Sequence, residues 1–144
     1  MSTNANIGII EPDGTVTAIY THWDGYPSHH GPILLEHYTD EAKVRALIAL
    51  GDISSLGPEI GEPHDFDTRD HSVCTAYHRD RQEPWADVKP TKVASVGEFL
   101  QGLGHAEYLY LWRHGRWEFS ASRKYNEASQ LRELTPVDCK ERDA

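Results

Sequence analysis

The densest run of chemically capable side chains is His22-Trp23-Asp24-Gly25-Tyr26-Pro27, followed at once by Ser28-His29-His30-Gly31. Two turn-forming pairs there hold four ring side chains and a carboxylate close together. At the end of a strand, such a loop can stack a base or other ring and accept its hydrogen bonds through Asp24. The competing reading is a rigid turn in which Trp23 and Tyr26 plug the edge of the core. His29 and His30, being neighbours in sequence, are expected to point apart, which argues against a metal shared between them. A second group, His64-Asp65-Phe66-Asp67 with Asp70-His71, gathers hard and borderline metal ligands, and Cys74 and His78 follow. On a helix His71, Cys74 and His78 would share a face. On the short strand read near Val73 to Tyr77, Cys74 and His78 take one side and His71 the other. A polar solvated loop without metal is the expectation. The third group is Arg113 and Arg116, which flank a two-residue turn and would gain from an anion between them. The competing reading is that the aromatic side of their hairpin is core and the arginines point into water or meet Glu107 and Glu118.

Familiar catalytic signatures are missing. Pro12-Asp13 with Glu41-Ala42-Lys43 imitates a metal-nuclease pattern, yet Asp13 falls in a turn and Glu41 starts a helix. Gly102-Leu103-Gly104 lacks the third glycine and the preceding strand of a dinucleotide fingerprint. There is no GxSxG, phosphate-loop GK[ST], CxxC, HExxH or EF-hand loop. Histidines are plentiful, but number is not geometry. No catalytic residue, metal or cofactor is assigned, and a binding protein is expected ahead of an enzyme.

The elements that must position these groups read as a mixed α and β order. Ile7 to Glu11 and Thr15 to His22 predict two strands around the turn Glu11-Pro12-Asp13-Gly14. Pro32 suits the first position of a helix through Tyr38. Thr39 is expected to cap the next helix, whose stripe is Val44, Leu47 and Ile48 and whose stop is Gly51. Residues 54 to 90 read as a long polar loop broken by the one short strand. Ser95 and Glu98 form a capping box before Val96, Phe99, Leu100 and Leu103. A closing hairpin, Ala106 to Trp112 and Arg116 to Ser120, turns at His114-Gly115. Counting outward pairs Trp112 with Trp117, Tyr110 with Phe119 and Tyr108 with Ala121 on one side. Arg113 with Arg116, Leu111 with Glu118 and Leu109 with Ser120 take the other. Glu127 to Leu134 reads as a last short helix before a frayed tail. The expectation is one α+β domain over residues 1–144, its core about 5–134, with antiparallel hairpins packed on two or three helices.

Composition bounds the function. The 144 residues are 38% hydrophobic and 10% aromatic, too apolar for a disordered chain, and no run approaches a membrane span. Two cysteines, Cys74 and Cys139, make no disulfide framework, and no secretory leader is read at the start, so a reducing cytoplasm is expected. Asp and Glu number 23 against 14 Lys and Arg, a net charge of −9, which disfavours coating or reading nucleic acid. The first 42 residues carry Glu11, Asp13, Asp24, Glu36, Asp40 and Glu41 and no Lys or Arg.

The stretches Asn6-Ile7-Gly8-Ile9, Asp13-Gly14-Thr15-Val16, His22 to Pro27 and Leu34-Leu35-Glu36-His37-Tyr38 resemble a group of small phage and prophage proteins of unassigned function. Leu47 to Asp52, Cys74 to Arg81 and the closing aromatic hairpin resemble the same group. Gln82 departs from it, standing where glycine is expected after Arg-Asp-Arg. The resemblance implies a bacterial-host cytoplasm and a binding role against host defence. The lead expectation is a homo-oligomer that sequesters a small anionic, nucleotide-derived defence signal. Its ligand-binding set is Trp23, Asp24, Tyr26, Tyr77, Arg79, Arg113 and Arg116. Trp23 and Tyr26 stack, Asp24 accepts from a base or ribose, and the arginines pair with phosphates. Two alternatives are an inhibitor that binds a host defence protein through the acidic N-terminal region, and a metal-dependent hydrolase built on His64, Asp67 and His71.

Overall fold

Alternating apolar residues on either side of Glu11-Pro12-Asp13-Gly14 build the first hairpin, β1 (Ala5–Ile10) and β2 (Val16–Thr21), with Ile7 opposite Ile19 and Ile10 opposite Val16. The computed structural model describes residues 2–68, 70–122 and 130–139. The chain continues through α1 (Pro27–His37), α2 (Glu41–Ile48), β3 (Ile53–Ser55), β4 (Thr75–Ala76) and α3 (Tyr77–Arg81). It then forms α4 (Trp85–Val88), β5 (Thr91–Val93), α5 (Val96–Phe99), β6 (Tyr108–Arg113), β7 (Arg116–Ala121) and β8 (Arg132–Glu133). One mixed sheet runs β4-β3-β2-β1-β6-β7-β8, with β5 also pairing β2. The architecture is α+β. Two joints, β1 with β6 and β2 with β3, are parallel and add to the expected antiparallel hairpins.

The closing hairpin has the register that the counting predicts, Trp112 opposite Trp117 and Arg113 opposite Arg116. His114 and Gly115 both take positive φ, 57° and 70°, the geometry that lets a two-residue turn follow the twist of its strands. Its aromatic side is core. Tyr110, Trp112, Trp117 and Phe119 pack with Ile7, Ile9, Leu34, Tyr38 and Leu47 beneath α1 and α2. The other face is thinner, with Val16, Ala18, Leu109 and Leu111 covered by Phe99 of α5.

Several expectations are corrected. The first helix begins at Pro27, which occupies the N1 position, and Pro32 lies inside it. Both prolines are compatible with N1; His30, Gly31 and Leu34 bury toward the sheet from a helix that starts at Pro27, and that burial outweighs the rung Pro32 removes. Asp40, not Thr39, caps α2 by accepting from Lys43 N at 2.9 Å. Residues 54–90 are not one loop: β3, β4, α3 and α4 lie wholly or partly there, and Glu59 bridges Val73. Of the helix expected at Glu127 to Leu134, residues 127–129 lie outside the described residues, and Arg132–Glu133 pairs with β7 as strand. Beyond Thr135, residues 136–139 form a turn on α1, so close that a Cβ on Gly31 would sit 2.5 Å from Cys139 Sγ. The Ser95 and Glu98 box is present, Glu98 N donating to Ser95 Oγ at 3.1 Å and Ala94 N to Glu98 Oε2 at 2.9 Å.

Buried aromatics with a polar tip need a partner for it. Tyr110 Oη donates to Gly25 O (2.6 Å), Tyr38 Oη to Gly57 O (2.8 Å) and Trp117 Nε1 to Tyr38 O (2.9 Å). Tyr110→Phe leaves the Gly25 carbonyl without its donor in a buried place, and the expected cost is about 1–3 kcal/mol. The far-ultraviolet circular dichroism should stay the same while the urea midpoint falls.

Candidate functional site

The loop after β2 is an extension of the sheet that then breaks sharply. His22 N and Trp23 N donate to Ile53 O and Ser54 O, at 3.2 and 3.0 Å. Asp24 then turns in the left-handed region, φ 59°. Gly25 passes so close to β1 that a Cβ there would lie 2.7 Å from that of Ala5, and its amide donates to Thr3 O at 2.8 Å. Tyr26 caps α1, its carbonyl taking the amides of His29 and His30 at 3.0 Å each.

Opposite stands the segment that carries the candidate metal ligands. Two aspartates fold it locally. Asp65 Oδ1 accepts from Asp67 N (3.0 Å), and Asp70 Oδ1 from Ser72 N (3.0 Å) and Ser72 Oγ (2.5 Å). The Ser72 bonds hold the Asp70 carboxyl below its ordinary range. His64 is fixed by its backbone amide to Asp80 and by Nε2 to Thr75 Oγ1, at 3.1 Å each.

Between the two loops lies a cavity of about 420 Å³, a size at which small-molecule sites begin. Its lining includes Trp23, Asp24 and His29 from the loop after β2 and the start of α1, Phe66, Asp67, Asp70 and His71 from the segment before β4, and Ser54 and Leu56 from β3 and just beyond it. Trp23 is 45% exposed at the rim, against 6% and 2% for the core Trp112 and Trp117. Phe66 is held from behind by the Tyr77 ring at 5.6 Å and by the Arg81 guanidinium at 4.4 Å. The cavity thus offers two aromatic surfaces and acceptor oxygens.

The structure sorts the expected ligand-binding set. It brings Trp23 and Asp24 to one cavity, with Tyr26 Oη on Asp24 Oδ1 at 3.3 Å, and it places Tyr77 one layer behind as the support of Phe66. The three arginines do not join them. Arg79 donates to Asp80 through Nε and Nη2 (2.9 and 3.0 Å), and to the carbonyls of Ile60, Gly61 and Cys74 (2.9, 3.1 and 2.7 Å). Burial alone would raise the Asp80 carboxyl, but Arg79 and the amides of Ala76 and His64 hold it below its ordinary range. Arg113 and Arg116 both turn onto Glu118, which is 5% exposed, and Arg116 also reaches Glu133. They sit at the far end of β6, a six-residue strand about 16 Å long. The opposed arginines are satisfied by a carboxylate of their own hairpin.

Two further expectations change. His29 and His30 do not point apart, since their Nδ1 atoms lie 3.1 Å apart and share one N–H. Burial drives both below the ordinary imidazole range, His30 to about 3. Cys74 is buried against Tyr38 and Gly57, and His78 Nδ1 donates to Glu83 O (2.8 Å) beside Trp85. Among the described residues no three His, Cys, Asp or Glu side chains are grouped to hold an ion. Several acids of the first 42 residues are also engaged within the protein. Glu11 and Glu41 pair with Arg45, Asp13 binds Thr15, and Asp40 caps α2. No helix among the described residues is long and apolar enough to cross a membrane.

Phe66, Ser54 and Leu56 were not in the expected set. The one sequence signal for Phe66 is an isolated ring in a polar stretch. Comparison with models of known protein families, with curated proteins and with solved structures finds no match to the chain.

Arg79→Ala leaves Asp80 buried without its counter-ion and releases residues 60 and 61, for an expected loss of about 3–5 kcal/mol in chemical unfolding. Trp23→Ala, at a half-exposed position, should cost less than about 1 kcal/mol. His30 gives a pH signature. Its folded pKa lies below the unfolded value, so the stability it permits is present above about pH 6.5 and is lost as pH falls toward 3. His30→Gln should flatten that part of the acid limb, read as a smaller drop in melting temperature between pH 7 and 4.

Proposed function

We propose that the protein is a non-catalytic capture protein that holds a small nucleotide-derived molecule by its base in the Trp23 cavity. What carries the reading is that an exposed Trp23, a braced Phe66 and the acceptor Asp24 line one cavity of about 420 Å³. Asp24 keeps a left-handed backbone that only a few per cent of non-glycine residues adopt, and such conformations gather at ligand sites. Base stacking on an aromatic ring is worth about 1–3 kcal/mol. Recognition through the base replaces the phosphate clamp expected from Arg79, Arg113 and Arg116, whose guanidinium groups are committed to Asp80 and Glu118. The resemblance to small phage proteins supports the further step, that capture in a bacterial cytoplasm removes a defence signal from its receptor. A symmetric second copy seated over the open rim would enclose the ligand.

Fluorescence titration of the Trp85→Phe protein tests this, because Trp23 and Trp85 are the two exposed tryptophans among the described residues. Free nucleosides and their cyclic and linear phosphates should quench Trp23 with similar dissociation constants, and ribose 5-phosphate should not. Trp23→Ala should weaken binding, followed by calorimetry, about 10- to 100-fold. Binding that needs the phosphate, or that survives Trp23→Ala, would overturn the reading.

A further inference from the structure

The Trp23 cavity is rich in hydrogen-bond acceptors. Asp24, Asp67 and Asp70 all line it, and an ionised carboxylate accepts through both oxygens and donates nothing. A ligand held there has to bring donors. Nucleobases differ sharply in the donors and acceptors along their edges, so the placing of these carboxylates bears on which base is held.

The three are placed differently. Asp70 Oδ1 is taken by the amide and hydroxyl of Ser72, at 3.0 and 2.5 Å. Asp67 belongs to the turn that its amide closes on Asp65 Oδ1 at 3.0 Å. Asp24 stands between two backbone anchors, Trp23 N on Ser54 O at 3.0 Å before it and Gly25 N on Thr3 O at 2.8 Å after it. It turns between them at φ 59°, so the Trp23 ring and the neighbouring carboxylate leave from one fixed stretch of backbone. The Tyr26 hydroxyl donates to Asp24 Oδ1 at 3.3 Å, long for such a bond, and Asp24 is exposed. This carboxylate is therefore open to a ligand.

We propose that Asp24 selects guanine, one carboxylate oxygen accepting from the ring N1–H and the other from the 2-amino group. This inference rests on the reading of the Trp23 cavity as a base site, and it names the base. Ring and carboxylate belong to consecutive residues of one cavity, so a base stacked on Trp23 presents an edge to Asp24. Guanine alone among the common bases carries two adjacent donors on one edge, and the pair matches the fork of a carboxylate. Adenine and cytosine set a ring-nitrogen acceptor beside the amino group, which would bring a lone pair against the second oxygen. Uracil and hypoxanthine offer a single ring N–H. Asparagine reverses the pattern, because its amide has one acceptor and one donor, the complement of adenine's amino group and neighbouring ring nitrogen. Asparagine also shares aspartate's tolerance of the left-handed backbone, so Asp24→Asn keeps the turn while changing the preference.

The test is fluorescence titration of the Trp85→Phe protein at pH 7 with the 5′-monophosphates of guanosine, inosine, adenosine and 1-methylguanosine. The phosphate is common to all, so differences between them report the base; for any one base, nucleoside and phosphate ester still bind alike. Guanosine monophosphate should bind about tenfold more tightly than the other three. Inosine lacks the 2-amino group, and in 1-methylguanosine a methyl group replaces the N1 proton. With Asp24→Asn added, guanosine monophosphate should weaken about tenfold and adenosine monophosphate should tighten, an exchange of preference that a merely loosened loop does not produce. Equal binding of the four nucleotides, or a guanine preference that survives Asp24→Asn, overturns the assignment of guanine and leaves the base site standing. Absence of quenching by all four in the parent overturns both. If the variant binds none of them, the ranking of the four by the parent decides.

Discussion

The hydrogen bond from Tyr110 to the Gly25 carbonyl fixes more of this molecule than its 2.6 Å suggests. Tyr110 is wholly buried in the middle of the sheet, and its hydroxyl must find an acceptor there. The acceptor it finds belongs to the loop that carries Trp23 and Asp24. Tyr38 does the same for the backbone just after Leu56, through Gly57, and Trp117 ties Tyr38 back to the closing hairpin. One aromatic core thus holds the Trp23 loop and the segment next to the cavity's Ser54 to Leu56 stretch.

Charge follows a similar economy. The chain is strongly acidic, yet the arginines that sequence reasoning assigns to a ligand are spent on carboxylates inside the fold. Arg79 with Asp80 organises the segment leading to His64, and Arg113 with Arg116 closes over Glu118. A buried carboxylate needs such partners. Asp52 is the contrast: among the described residues it accepts from one amide and pairs with no Lys or Arg. The same chemical group therefore has a structural role in one place and an open valence in another.

Local chemistry was legible in the residues, and long-range convergence was not. Turn residues and strict alternation were sufficient to place both hairpins and even the pairing of Trp112 with Trp117, because register follows from counting out of a two-residue turn. The capping box at Ser95 was readable for the same reason. The start of α1 was not, since Pro27 and Pro32 carry the same local signal and burial of His30 and Leu34 decides between them. At position 82, where the resemblance has glycine, Gln82 adopts φ 57°, the left-handed geometry that favours glycine. The cavity itself joins residues near 23 with residues near 70, and no spacing rule reports such a meeting. Glu118 was among the partners open to the two arginines from the residues alone, and it is the one they take.

The parallel joint between β1 and β6 also constrains how the chain is made. β1 leaves the ribosome first and can close with β2 at once, but its other edge waits for residues 108–112. Until then Ala5 to Ile9 presents an open edge at the centre of the future sheet, the arrangement that invites pairing with other chains. Asn6 and Gly8 interrupt that edge with two of the poorest strand formers. Their placement among isoleucines weakens any premature partner, so the strand that anchors the finished sheet carries its own check on recruiting a stranger while it waits.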